Sequence, residues 1–577
     1  MLQLFMTHLE GLKKDAVKSP VFILLEVVLE LLLPLVMTEI VDVAIPNGDV
    51  KYIFLLGLVM IAISLGALTC GVLSAKYATY ASQGFGANLR KALFDKVQEF
   101  SFADIDRFSS ASLITRMTND VNQLTLMLTM SLRLVFRAPA MLLFALCLSF
   151  SINAKLACVL LAVIPVMVLA IGVIMKICGR LFGIMQQKID GVNNTLQENL
   201  VAIRVVKAFV REDHERKKFD RANEDLMNAG LNVGLRVIAI MPVMTLAMNA
   251  ATVGILYLGG RMVMEGTFLL GDLQAVLNYV FQVLMSVMMV ALALLNLTRA
   301  QACAKRIREV LETEPTVRDP EEKRDLPAPR GKVEFRNVNF RYVTGGTGDD
   351  VLHDISFTVE PGKFVAIVGG TGTGKSSLVN LIPRFYDVTG GSVLVDGVDV
   401  RDYPLEELRG RIGMVLQNNV LFTGTIRENL LWGREDATEE EIIQAAKDAQ
   451  AYDFIMALPE GFDTLLTQGG TNVSGGQKQR LCIARAMLRK PAILILDDST
   501  SAVDSTTEAA IRASFARNLK DTTVIIIAQR ISSVQYADEI FILDDDHIAG
   551  RGTHEELLAS NAIYQEIYQS QQEGVGE

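Results

Sequence analysis

The apolar positions follow two regimes that change near residue 300. Before that point they come in runs of roughly 20 residues or more, the length a helix needs to cross a bilayer. Six such runs lie near 19–43, 52–82, 129–152, 154–178, 236–262 and 271–298. Only SINAK separates the third from the fourth, which predicts a tight hairpin, and EGTFLLGD separates the fifth from the sixth. After about residue 330 the runs shorten to strand length, as in KVEFRNVNFRY, KFVAIV and AILILD. Between the regimes, ETEPTVRDPEEKRDLPAPRGK (312–332) is rich in proline and charge and has no period, which predicts a linker that breaks the last helix. The pattern therefore predicts an all-α membrane domain of six helices at 1–311, a linker at 312–332 and a soluble domain at 333–577.

The polar segments set the orientation. Short connections follow the first, third and fifth runs and hold few bases, such as Lys51 and Lys155. Long ones, near 83–128 and 179–235, carry Arg90, Lys91, Lys96, Arg107, Arg116, Arg204, Lys207, Arg211, Arg216 and Lys217. Positive charge marks the cytoplasmic side, so both termini and everything after residue 300 are expected there, on a multi-pass protein of the cell (inner) membrane. Stretches such as ANLRKALFDKVQEFSF are amphipathic and read as helical extensions into the cytoplasm. The first run follows Lys13, Lys14 and Lys18, is too long for a signal peptide and lacks a small-residue cleavage site, so it reads as a retained membrane helix.

Charge inside a span is costly. Glu26 and Glu30 sit one turn apart on one face of the first run. They are either a site for cationic substrates in a central cavity or a polar face packed within the bundle. Met241, Met244, Met248, Met285, Met288 and Met289 offer a similar choice between a promiscuous binding surface and ordinary packing. The net charge of −10 argues against nucleic acid as a partner. The six cysteines form no CxxC pair and suggest neither a disulfide framework nor a zinc site.

The soluble half carries the chemistry. GGTGTGKS at 369–376 satisfies G-x-x-x-x-G-K-[ST], after a strand-like KFVAIV and before a helix-like SSLVNLI. Gly369, Gly370, Thr371, Gly372, Thr373 and Gly374 let backbone N–H groups approach phosphates, and the helix start adds its positive dipole end. Lys375 reaches the outer phosphates and Ser376 binds Mg²⁺. AILILD ends in Asp497, which can hold the Mg²⁺ shell. In VSGGQ (473–477), Ser474, Gly475, Gly476 and Gln477 place a hydroxyl and backbone donors ahead of another helix.

In this order the motifs resemble the ATP-binding cassette (ABC) family, specifically exporter half-transporters with six spans fused to one α/β P-loop NTPase domain. The resemblance covers essentially the whole chain. It implies that Tyr342 stacks on adenine, that Ser377 belongs to the phosphate loop, and that Gln417 in GMVLQNN joins the metal shell. SAVD (501–504) is similar to the loop that crosses to a partner domain. The resemblance further implies head-to-tail dimerisation, with each ATP between one chain's phosphate loop and the other's signature, and coupling helices near Phe102–Ser110 and Val205–Glu212.

Three positions depart from the family pattern. The residue after Asp497, normally a glutamate that orients the attacking water, is Asp498. Gln529 in IIIAQR stands in place of the switch histidine, and none of His8, His214, His353, His547 and His554 lies in that motif. Gln468 in TQGGTN replaces a glutamate common in exporters. An amide can donate a hydrogen bond but carries neither charge nor a relayed proton. With the signature intact, the expectation is a heterodimeric multidrug-type exporter in which this chain holds ATP at a degenerate site and completes the site of a second half-transporter subunit. The cargo would be a small amphipathic drug, lipid or peptide. The alternatives are a slow homodimer with Asp498 as base, and a nucleotide-gated channel or sensor.

Overall fold

The computed structural model describes residues 2–321, 325–342, 350–499 and 503–573. They fall into two compact units, Met1–Lys96 with Leu113–Glu312, and Val97–Ser112 with Thr313–Glu577.

Among the described residues six helices, lying mainly in the first unit, are long and apolar enough to span a membrane: Lys13–Ala44, Val50–Gln98, Ser110–Ile152, Ala154–Val201, Glu212–Met264 and Leu270–Val290. The last continues to Glu312. The 48 residues of Ala154–Val201 run roughly 70 Å at about 1.5 Å per residue, against roughly 30 Å of hydrocarbon. The amphipathic stretches after the second and fourth apolar runs are thus continuations of the membrane helices. On the second helix Phe54, Leu58, Ile61, Leu65, Leu68 and Val72 form an exposed apolar stripe, at the 3–4-residue spacing of one helix face. Such a face suits lipid rather than water.

The first helix ends in a π-type turn, Ile40–Ala44. Asp42 on that turn accepts hydrogen bonds from the backbone N–H groups of Gly271 (2.7 Å) and Asp272 (3.2 Å). A carboxylate from one helix thereby satisfies the open N-terminus of the sixth. Deeper in, Arg137 of the third helix donates to Glu26 and, at 2.7 and 2.9 Å, to both carboxylate oxygens of Glu30. Of the two readings of these glutamates, the structure has the packed polar face: a cation from a neighbouring helix already occupies both. The methionines divide. Met244 is buried in the bundle core, whereas Met241 is exposed.

In the second unit, strands run β1 Val333–Phe340, β2 Leu352–Val359, β3 Phe364–Gly369, β4 Gly390–Val395, β5 Val398–Asp399, β6 Ile412–Val415, β7 Gly424–Thr425, β8 Leu465–Leu466, β9 Ile493–Asp497, β10 Thr523–Ile527, β11 Glu539–Asp544 and β12 His547–Gly552. A six-stranded sheet has the order β12-β11-β3-β10-β9-β6, and a four-stranded antiparallel sheet the order β2-β1-β4-β5. Strands β11, β3, β10, β9 and β6 are parallel, with β12 an antiparallel edge. β9 and β10 are buried at every position, as a parallel strand covered on both faces must be. Their unbroken apolar runs are the sequence mark of that burial.

Candidate nucleotide-binding site

The site forms where open parallel sheets present chemistry, at the carboxyl ends of the strands. Parallel pairing of β10 with β3 and β9 sets Ile527 beside both Ile367 and Asp497. The phosphate loop after β3, the acids after β9 and Gln529 after β10 therefore meet at one end of the sheet.

Local backbone explains the loop's glycines. Gly374 has φ +85°, and a Cβ there would lie 2.9 Å from the Val351 carbonyl; at Gly369 it would lie 2.1 Å from the Leu543 carbonyl. Neither position admits a side chain, so the chain can pass tightly into the helix Lys375–Asn380. Lys375 lies inside its own loop, where Nζ donates to the carbonyl oxygens of Gly369 (3.0 Å) and Gly370. Burial pushes its ammonium pKa down, while Asp497 and Asp498 oppose the shift. The Ser376 hydroxyl donates to Asp497 at 3.0 Å. Asp497 is only 4% exposed, and burial raises its pKa against that hydrogen bond.

Two of the three departures noted in the sequence turn out to be partners. Gln529 Nε2 donates to Asp498 Oδ2 at 2.9 Å. Asp498 sits at φ 47°, and its N–H donates to the Ile527 carbonyl at 3.0 Å. Burial raises its pKa; Lys375, Arg530 and the Gln529 hydrogen bond pull it back. Gln571, from the C-terminal helix Ala562–Glu573, donates to the Gln529 carbonyl at 2.7 Å and accepts from the Ile531 N–H at 2.8 Å. Nothing in the sequence of that helix signals this role.

The other expected residues are placed separately. Tyr342 meets Phe340 and Tyr386 edge-to-face, with ring centroids 4.9 and 5.3 Å away, and its hydroxyl lies 2.8 Å from Ser377 Oγ. Gln417 is exposed beyond β6, whose register pairs Val415 with Leu496; this carries it to the same sheet end as Asp497. Ser474 caps the helix Gly475–Leu488 and forms a capping box with Gln477, at 2.9 and 3.3 Å. Among the described residues no hydrogen bond joins this signature to the phosphate loop. Gln468 opens a short turn in which Gly469 has φ 69°. Ser501 and Ala502 lie outside the described residues; Asp504 caps the helix Ser505–Asn518.

The same unit contains the helix Phe102–Phe108. Its Phe102 stacks on Phe385 at 4.3 Å and its Asp106 accepts from the Tyr386 hydroxyl at 2.7 Å. Ser101 Oγ lies 2.6 Å from Thr316 Oγ1. Burial, then the Asp106 hydrogen bond, raises the Tyr386 pKa above the usual tyrosine range. Sequence reading passed over Phe385 and Tyr386, which lie in the turn a few residues after the helix Lys375–Asn380. The other expected coupling segment is the helix Ile203–Ala208 in the membrane unit, followed by Phe209 and Val210, which are 72% and 80% exposed.

Six membrane-spanning helices on one chain with a phosphate-loop ATPase define an ATP-driven transporter. The chain belongs to the ABC transporter family: residues 17–287 match the ABC transporter transmembrane region and residues 352–501 match ABC transporter. It is 42% identical, over 96% of its length and 95% of the relative's, to the uncharacterized ABC transporter ATP-binding protein YfiB of Bacillus subtilis (strain 168). It is 34% identical to the ATP-dependent lipid A-core flippase of Syntrophus aciditrophicus (strain SB), over 88% and 84%. Among solved structures it is similar to a bacterial Atm1-family ABC exporter with ATP bound, with TM-score 0.81 and 26% identity over 97% and 98% of the two chains. The fold is thus that of an exporter half-transporter, a multi-pass membrane ATPase of a kind that works as a dimer.

Proposed function

We propose that this chain is one subunit of a dimeric cell-membrane exporter whose own site holds ATP and Mg²⁺ but hydrolyses slowly, and whose signature completes the site of a second, different half-transporter subunit. In this reading residues 1–311 form the transmembrane domain and 333–577 the nucleotide-binding domain, joined by the 312–332 linker, with both termini cytoplasmic. The residues fit the ligands. Gly369 and Gly374 have no room for a Cβ, against the Leu543 and Val351 carbonyls, which keeps the loop tight enough for its N–H groups to reach phosphates, and Ser376 and Asp497 already converge at 3.0 Å. Bound Mg²⁺ would neutralise charge developing on the phosphates. Ser376 and Asp497 would hold it, and Gln417 would complete the shell. Lys375 would reach the phosphates, and Tyr342 would stack on the base. Ser474, Gly475, Gly476 and Gln477 present the helix start to the partner's nucleotide.

The observation that carries slow hydrolysis is the Asp498–Gln529 pair. The carboxylate that should orient water is one methylene short, and one of its oxygens is taken by an amide at 2.9 Å. Misplacement by about 1 Å can cost on the order of 100-fold in rate. Phe209 and Val210, 72% and 80% exposed, lie in the Val205–Glu212 segment that the family resemblance assigns to coupling, and in this reading they meet the partner. The cargo proposed is a lipid-like amphiphile, by analogy with the flippase relative.

ATPase activity is the test, measured on this chain alone and co-purified with a candidate second half-transporter. Near-zero activity alone, robust activity in the pair and little effect of Asp498→Ala in the pair are expected. Strong activity alone that Asp498→Ala abolishes would establish the second reading, a homodimer in which Gln529 steadies Asp498 as a working base.

A further inference from the structure

Arg133 and Arg137 lie one turn apart on the third membrane helix, and their situations differ. Arg137 is committed to Glu26 and Glu30. Arg133 has no hydrogen-bond or ion-pair partner among the described residues, and its Nε is sealed from solvent. A guanidinium left unpaired inside a membrane bundle is costly, and such groups mark substrate paths. Its remaining outlet is a cavity of about 440 Å³, walled by Ile23 and Glu26 from the first helix, Met130 and Leu134 from the third and Met289 from the sixth. That volume lies within the roughly 300–1,000 Å³ range of small-molecule sites.

We infer that this cavity is a head-group site for an anionic amphiphile, with a carboxylate or phosphate on Arg133 and the alkyl chain along Met130, Leu134 and Met289. The inference rests on the exporter reading above and adds the sign of the cargo's charge. A cation would have to displace Arg137 from carboxylates it already holds. The second Glu26 oxygen is also unpartnered, but it has no accessible surface and lies against Gly71, where a Cβ would come within 3.0 Å. An anion, by contrast, finds Arg133 open, with a planar fork suited to two oxygens. The unbranched thioethers of Met130 and Met289 adapt to chains of varied shape.

The test uses the full chain in neutral-lipid nanodiscs and radiolabelled dodecyl phosphate as probe. Dodecanoate should compete; dodecyltrimethylammonium and dodecyl maltoside should not. Arg133→Gln should weaken binding about 10- to 100-fold, the range of a charge-assisted hydrogen bond, and Arg133→Lys should recover part of it. Leu134→Trp, which narrows the cavity with Arg133 in place, should weaken binding too. Melting temperatures of all three variants report folding. Wild-type affinity in folded Arg133→Gln, or the ammonium competing best, overturns the inference. ATP-driven movement in proteoliposomes separates the two levels. Arg133-dependent binding without ATP-driven movement keeps the site and removes the exporter reading. ATP-driven movement of the ammonium, with no phosphate binding, keeps the exporter and removes the site.

Discussion

Asp498 and Gln529 sit apart in sequence and work as one unit in space. Their 2.9 Å hydrogen bond favours the charged carboxylate, whereas burial disfavours it and wins. The acid limb of any ATPase activity that depends on Asp498 should therefore lie above the ordinary aspartate pKa, about 3.9. Gln529→Ala removes a group that pulls the pKa down, so the limb should move to higher pH; a pH–rate profile of the variant checks the sign. If reach is what Asp498 lacks, Asp498→Glu should raise kcat of the chain's own site, by on the order of 10- to 100-fold. Steady-state turnover measures this, and an unchanged rate would place the deficit in Gln529 instead.

Between elements, polar groups do the joining. Arg137 ties the third helix to two carboxylates of the first. Arg137→Gln leaves both without a cation in a low-dielectric setting, and breaking such a pair costs about 3–5 kcal/mol. A large drop in melting temperature is expected, relieved in the triple variant with Glu26→Gln and Glu30→Gln. In the nucleotide unit, Tyr386 touches the ring expected to carry adenine and also Asp106 of the Phe102–Phe108 helix. Tyr386→Phe keeps the aromatic contacts and loses only the hydrogen bond. ATP affinity should stay near wild type while ATP-driven transport falls; an equal loss of both would show that the tyrosine merely supports the ring.

At the scale of the whole molecule, each half answers to a different solvent. The membrane unit keeps an apolar stripe outside on its second helix, and the nucleotide unit hides its apolar strands. Nucleotide should stabilise the second kind of core selectively, by about 2.7 kcal/mol at 100 times Kd. Calorimetry with ATP, against Lys375→Ala as a control that loses the shift, tests this. Dimer formation belongs to this scale as well. Phe209→Ser and Val210→Ser should weaken self- or partner association, read by light scattering in detergent.

The sequence by itself determined the elements and their order. Runs of about 20 apolar residues demand helices in lipid. The short buried runs KFVAIV, AILILD and TVIII demand a covered parallel sheet. The phosphate loop was legible because its chemistry is local: consecutive glycines, a lysine and a serine at fixed spacing. Tertiary structure alone decided the pairings. Which residue answers Glu26 and Glu30 depends on helix packing, although an arginine inside the third apolar run was a readable warning. That Asp498 meets Gln529 follows from the adjacency of β9 and β10, which sequence order does not state. Gln571 reaches the same place only because the C-terminal helix folds back on its unit. Local composition fixes what a segment can be, and the partner of a polar side chain is set by residues distant in sequence.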